Sequence, residues 1–231
     1  STGKSIPDLI SSSGAVPGIK VDTGAKDLAN SPKEKITEGL DGLRDRLKKY
    51  YDLGARFTKW RGVYSIGEKY PSELAISSNA HALARYSALA QESGMVPIVE
   101  PEVLMDGTHS AEICSIKTSE VIKKCFEELI IHKVDLSGII LKPNMILAGN
   151  QSKDKISNEE VSVKTLDCLK NSVPNEVPGI AFLSGGQSEI EATENLNLIN
   201  KNNNTNFIMT YSYGRALQQS ALKVWSNDIK N

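Results

Sequence analysis

Apolar positions along the chain fall into two patterns. Short, nearly continuous apolar runs occur at 18–21 (GIKV), 55–60 (ARFTKW), 96–100 (VPIVE), 138–142 (GIILK), 179–184 (GIAFLS) and 207–213 (FIMTYSY). Each has the length of a strand, and a run with little alternation suits a parallel sheet covered on both faces. Longer amphipathic stretches lie between them. Ser31-Pro32-Lys33-Glu34 has capping-box spacing with proline at the first helical position, which predicts a helix ending at Gly54. Further helices are predicted from near Pro71 to before Gly94, over Ser119 to His132, and over Arg215 to Trp225. Two more open at the capping boxes Ser157-Asn158-Glu159-Glu160, ending before Pro174, and Ser188-Glu189-Ile190-Glu191.

Strands alternating with helices predict a parallel α/β fold. A doubly wound sheet and a TIM (β/α)₈ barrel are the two candidates. No Gly-rich GxGxxG turn follows an early strand, and polar residues stand at the C-terminal end of nearly every strand. Both features favour the barrel, with six of its eight strands countable here. No linker or low-complexity segment divides the chain, so residues 1–231 read as a single, partial barrel domain, with Asn202-Asn203-Asn204 as a surface loop.

Composition acts mainly by exclusion. Of 231 residues, 39% are hydrophobic and 24% charged, and the formal net charge is −1. That is ordinary globular composition without the basic footprint of a nucleic-acid or membrane-surface binder. No apolar stretch is long enough to span a bilayer, and the first residues, STGKSIPDLI, lack a secretory pattern. Three cysteines without CxxC spacing predict reduced thiols in a cytoplasmic protein rather than a disulfide framework. His81, His109 and His132 are scattered without HxH or HExxH spacing, so no metal site is expected.

The strand ends collect the candidate chemistry: Lys20 and Asp22, Lys59 and Arg61, Glu100 and Glu102, Lys142 and Asn144, Ser184 with Gly185 and Gly186, then Ser212 and Arg215. Lys59 and Arg61 share a face by the strand period of two, as do Glu100 and Glu102. A lysine at the end of a strand can simply snorkel to solvent. Lys142, however, follows Gly-Ile-Ile-Leu, where desolvation favours the neutral amine, a nucleophile toward ketones. Imine formation also needs an acid to expel water, and Glu100 among lysines can serve. Ser184-Gly185-Gly186 and Gly214-Arg215, in the loops after the last two strands, fit a phosphate site of backbone N–H groups and a guanidinium. A barrel glycosidase would need a second carboxylate across the site, and a metal-dependent aldolase would need histidines at strand ends; neither is present in the sequence.

The blocks GIKVDTG, FTKWRGVY, ARYSALAQESGMVPIVEPEVL, ILKPNM, FLSGGQSEIEA and SYGRALQQSALKVW, nearly collinear from Gly14 to Trp225, resemble class I fructose-bisphosphate aldolase. The resemblance implies a metal-independent, cofactor-free lyase of glycolysis and gluconeogenesis. Its sugar-phosphate substrate would be fructose 1,6-bisphosphate, and its assembly a homotetramer. It implies Lys142 as the Schiff-base lysine, Glu100 as the proton-shuttling acid, and Lys59 as the lysine polarising the hydroxyl near the cleaved bond. Glu102 matches a family position near the imine. Ser184, Gly185 and Arg215 match the cradle for the ketone-side phosphate, and Arg61 and Lys20 match residues holding the other phosphate. Ser137 stands where the family has an acidic residue, and Gly62 where it has a larger or thiol residue. The family's alanine-alanine-aspartate-glutamate-serine block, source of the cleavage base, and its C-terminal tyrosine tail have no match here. A partial aldolase is therefore expected. The other readings are a non-catalytic binding protein that keeps the phosphate cradle and a Schiff-base aldolase of another sugar phosphate.

Overall fold

The computed structural model describes residues 3–228. In chain order its elements are α1 (Ile6–Ser12), β1 (Gly18–Lys20), β2 (Gly24–Asp27), β3 (Lys35–Glu38), α2 (Leu43–Asp52) and β4 (Phe57–Tyr64). They continue with α3 (Glu73–Glu92), β5 (Val96–Val103), α4 (Ala111–Ile131), β6 (Ile140–Leu141), α5 (Asn158–Ser172), β7 (Gly179–Phe182), α6 (Glu189–Asn202), β8 (Ile208–Tyr211) and α7 (Arg215–Asp228). A parallel six-stranded sheet runs β1-β4-β5-β6-β7-β8, and β2-β3 form a separate antiparallel hairpin.

The strand order never reverses, so the sheet has no topological switch point. Right-handed crossovers then place the helices that connect these strands on the same side. Consecutive helices from α2 to α7 do pack on one another as one layer. This singly wound arrangement is that of a barrel wall and excludes the doubly wound alternative. The core lies between the sheet and that layer: Trp60, Val99, Leu141, Ile180, Phe182 and Met209 point to the helices and belong to one buried cluster. Because the strands are in register, the opposite parity puts Lys20, Lys59, Arg61, Glu100, Glu102 and Lys142 on the other face. The runs read as covered on both faces thus have one apolar face, and an opposite face that is charged on β1, β4 and the end of β5 but carries the buried apolar Ile98, Ala181 and Leu183 elsewhere.

Two sequence expectations are corrected. Ser31-Pro32-Lys33-Glu34 does not open a helix; it is the connection of the β2–β3 hairpin, and the helix begins only at Leu43. Glu34 does accept from the Ser31 hydroxyl at 2.5 Å, but its own N–H donates to the Ser31 carbonyl rather than to the hydroxyl that a capping box would use. Asn30 (φ 60°) and Lys33 (φ 73°), however, turn the backbone through the left-handed region. Glu34, 3% exposed, also accepts from the Ser72 N–H and hydroxyl, so the hairpin is bolted to the N-cap of α3. The hairpin is pinned further by Thr37, whose hydroxyl donates to the Arg61 carbonyl at 2.6 Å, and by Asn79. Second, α4 starts eight residues before Ser119 because Ser110 is its N-cap, accepting from Ile113 N–H. The helix α1 was not anticipated; it buries no residue. The boxes at Ser157 and Ser188 both form with reciprocal contacts.

Strands β4 and β5 also run further than their apolar stretches, through Tyr64 and Val103. Pro101 does not end β5. Lys142 N–H donates to Val99 O, so Val99, Pro97 and Pro101, sharing parity, face β6. That strand is two residues long and asks for few donors. The β4 side keeps full register from Phe57–Val96 to Tyr64–Val103.

Candidate active site

Register places the charged residues side by side on adjacent strands. Arg61 is opposite Glu100 and Val63 opposite Glu102, so each basic side chain reaches the carboxylate two residues farther along than its own partner. Lys59 Nζ lies 2.6 Å from Glu100 Oε2, and Arg61 Nε lies 2.5 Å from Glu102 Oε2. Lys142, the first residue after β6, brings its Nζ within 3.0 Å of Glu100 Oε1. One carboxylate, 3% exposed, therefore holds two ammonium groups, one on each oxygen. Lys142 itself is only 8% exposed, as its apolar run requires.

At the edge of this row, Lys20 Nζ pairs with Asp22 Oδ1 at 2.5 Å. Asp22 also accepts from the backbone N–H of Gly24 and of Arg61, tying β1, the hairpin and β4 together. Four basic side chains (Lys20, Lys59, Arg61, Lys142) meet three acidic ones (Asp22, Glu100, Glu102), which leaves a cationic excess suited to an anionic substrate. Burial opposes the Arg61 charge, but its hydrogen bond and ion pair with Glu102, with Glu100 and Asp22 beyond, outweigh burial and hold it above the usual guanidinium range.

Ser184 and Gly185 follow β7 next to this row. Leu183 N–H donates to Pro143 O, so the loop lies beside the chain leaving Lys142. A side-chain carbon at Gly185 would come within 3.2 Å of Glu102 Oε1 and 2.9 Å of Leu183 Cδ1; only glycine lets the loop pass this close to the carboxylate. Arg215 begins α7, after β8, at the same end of the sheet. It is exposed and makes no ion pair among the described residues. The structure thus gathers Lys20, Lys59, Arg61, Glu100, Glu102 and Lys142 onto one sheet face in two adjacent contact groups, Lys59–Glu100–Lys142 and Lys20–Asp22–Arg61–Glu102. Ser184 and Gly185 stand at its margin, and Arg215 lies apart from it.

Two residues on the strand-end list have roles that sequence reasoning left unassigned. Asp22 is the anchor just described. Asn144, 2% exposed, accepts from Val103 N–H at 3.0 Å and donates to Thr118 Oγ1 and Met145 O. It thereby replaces the ladder partner that β6 is too short to give β5, and fixes the segment carrying Lys142. The polar strand-end position was its only signal in the sequence. A cleft of about 540 Å³ lies elsewhere, between the hairpin and α3, and none of the charged-row residues lines it.

The family model for class I fructose-bisphosphate aldolase matches residues 1–231. Fructose-bisphosphate aldolase 4, cytosolic, of Arabidopsis thaliana is 51% identical over 231 residues, covering 100% of this chain and 59% of that protein. A probable fructose-bisphosphate aldolase class 1 of Xanthomonas campestris is 52% identical over 216 residues, covering 94% of this chain and 65% of that protein. Among solved structures, the fructose-bisphosphate aldolase of Plasmodium falciparum, in complex with TRAP and a small-molecule inhibitor, superimposes with a TM-score of 0.94 at 44% identity. The match covers 96% of this chain and 65% of that one. The chain thus spans about three fifths to two thirds of the length of these relatives. A family match over every residue, joined to half identity along the whole chain, establishes that this chain belongs to the class I fructose-bisphosphate aldolase family.

Proposed function

We propose that the protein cleaves fructose 1,6-bisphosphate reversibly to dihydroxyacetone phosphate and glyceraldehyde 3-phosphate through an imine on Lys142, as a soluble glycolytic enzyme of the cytoplasm. The observation that carries this reading is Glu100 held between Lys142 and Lys59 on a buried sheet face. Glu100 takes a proton from the Lys142 ammonium, freeing the amine to attack the ketone carbon. The same carboxyl group then protonates the carbinolamine oxygen so that water leaves. The resulting iminium accepts the electron pair released when the carbon–carbon bond breaks, and the proton of the hydroxyl that becomes the aldehyde passes to the cleavage base of the family's alanine-alanine-aspartate-glutamate-serine block, so the step requires no metal or other cofactor. Lys59, fixed by the second Glu100 oxygen, donates to the substrate hydroxyl beside that bond.

Arg61, oriented by Glu102, and Lys20, oriented by Asp22, receive the aldehyde-side phosphate. The ketone-side phosphate lies on Ser184, Gly185 and Arg215, whose guanidinium has no ion-pair partner among the described residues and is available for a bidentate contact. A homotetramer is the assembly proposed on the family's pattern. The test is trapping: full-length protein incubated with dihydroxyacetone phosphate and borohydride acquires one reduced adduct, on Lys142, and Lys142→Ala acquires none. An adduct mapped to another lysine overturns the assignment.

A further inference from the structure

We infer that His81, Glu128 and His132 form a site for a divalent transition metal, zinc(II) being the ion that fits, on the outer face of the helical layer. In the linear sequence these histidines have no metal-ligand spacing; the fold brings them together. His81 lies on α3, Glu128 is in the last turn of α4, and His132 is the C-cap of that helix, four residues beyond. One nitrogen or carboxylate oxygen from each of the three lies within 4.8 Å of the others.

His81 Nδ1 is 3.2 Å from Glu128 Oε2. Two ligands of a tetrahedral zinc, each about 2.0–2.1 Å from the ion, stand roughly 3.3 Å apart, so this edge of the polyhedron already exists. The two imidazoles meet edge to face, centroids 4.9 Å apart at 71°, rather than stacked. His132 Nδ1–H donates to the Glu128 carbonyl at 2.9 Å. That bond places the proton on Nδ1, which itself lies 3.7 Å from Glu128 Oε2, and leaves Nε2 as the lone-pair nitrogen through which the ring coordinates, the arrangement metal-bound imidazoles use.

The carboxylate is free for the role. Among the described residues no lysine or arginine pairs with Glu128; Lys124, one turn earlier, bonds Glu127 instead. Arg85 shares a cleft with His132 and opposes binding by charge alone. The donor set therefore selects an ion with strong affinity for imidazole, zinc before magnesium or calcium. His81 keeps 52% of its side chain exposed, so the ion has an entry path and an open position for water. None of the three residues belongs to the charged row of the active site, and the inference does not rest on the proposed reaction. A bound ion would cross-link α3 to α4, the helices that follow the strands of Lys59 and Glu100.

The test uses full-length protein freed of metal by chelation and then titrated with zinc chloride by calorimetry, with cobalt(II) as the spectroscopic substitute. One equivalent of zinc binds per chain, and zinc raises the thermal unfolding midpoint. His81→Ala and His132→Ala each weaken binding by at least about 10–100-fold, the range that loss of even an outer-shell partner gives. The same variants unfold at the unmodified protein's midpoint when no metal is present, which separates ligand loss from misfolding. Failure to take up zinc, or uptake with equal affinity in both variants, overturns the inference.

Discussion

Replacing Glu100 by glutamine removes the one negative charge that Lys59 and Lys142 both contact while keeping the volume of the side chain. The carboxylate is 3% exposed and accepts at 2.6 and 3.0 Å, so two charge-assisted contacts weaken together. A hydrogen bond to a charged group is worth about 1.5–3 kcal/mol, and stripping one partner from a buried ion pair costs about 3–5 kcal/mol. The glutamine oxygen can still accept from one lysine, and Lys59 keeps 22% of its side chain exposed, so the expected stability loss is near the lower end, about 3 kcal/mol. The effect on chemistry is larger. Without the shared proton carrier, Lys142 is not deprotonated by its neighbour and the carbinolamine hydroxyl has no acid, a loss of about 10²–10⁴ in rate. The assay is rapid mixing with dihydroxyacetone phosphate, borohydride quenching at intervals, and quantification of the Lys142 adduct, alongside thermal unfolding of the same sample. A Glu100→Gln protein that forms the imine within a few-fold of the unmodified rate refutes the assignment, whatever its stability.

Arg215→Ala weakens binding of dihydroxyacetone phosphate by roughly one to two decades, since one charged hydrogen bond of about 1.5–3 kcal/mol is lost; equal affinity by calorimetry removes Arg215 from the phosphate site. Asn144→Leu strands the Val103 N–H and the Thr118 hydroxyl in the core and lowers stability by about 2–4 kcal/mol, read from denaturant midpoints; a loss under 1 kcal/mol shows the bolt is dispensable. Burial pushes the Cys114 thiol up to about 11 and the Cys125 thiol up to about 12, so a thiol reagent at pH 8 labels neither in the native protein and both in denaturant. The same groups favour the fold fully below their unfolded value of 9.0, and that contribution is lost as pH rises from there towards 12; stability unchanged between pH 9 and 12 contradicts it.

What the sequence made legible follows from the range over which each feature is determined. The boxes at Ser157 and Ser188 are self-contained, since cap and partner lie three residues apart, and both form. The same spacing at Ser31 misled because Glu34 divides its oxygens between Ser31 and the distant Ser72, a choice made by packing. Lys142 was readable from four apolar neighbours, and the shared faces of Lys59 with Arg61 and Glu100 with Glu102 from the strand period. Which lysine meets which carboxylate was not, because that depends on the register between β4 and β5. The roles of Asn144 and Asp22 were hidden for a related reason: both complete backbone hydrogen bonding where a strand stops short or a turn begins, and no residue-type pattern marks such a gap.

Lys59–Glu100 and Arg61–Glu102 are each separated by 41 positions in the chain. Equal offsets mean that a single alignment of β4 on β5 satisfies both pairs. A slip by one residue would satisfy neither, and would turn both carboxylates into the apolar layer beneath Trp60 and Val99. Misaligned chains are thereby penalised at two buried charges simultaneously, before any substrate is met. The charged row is thus also a proofreading device for strand alignment, and a substitution there can lower the yield of correctly folded protein independently of turnover.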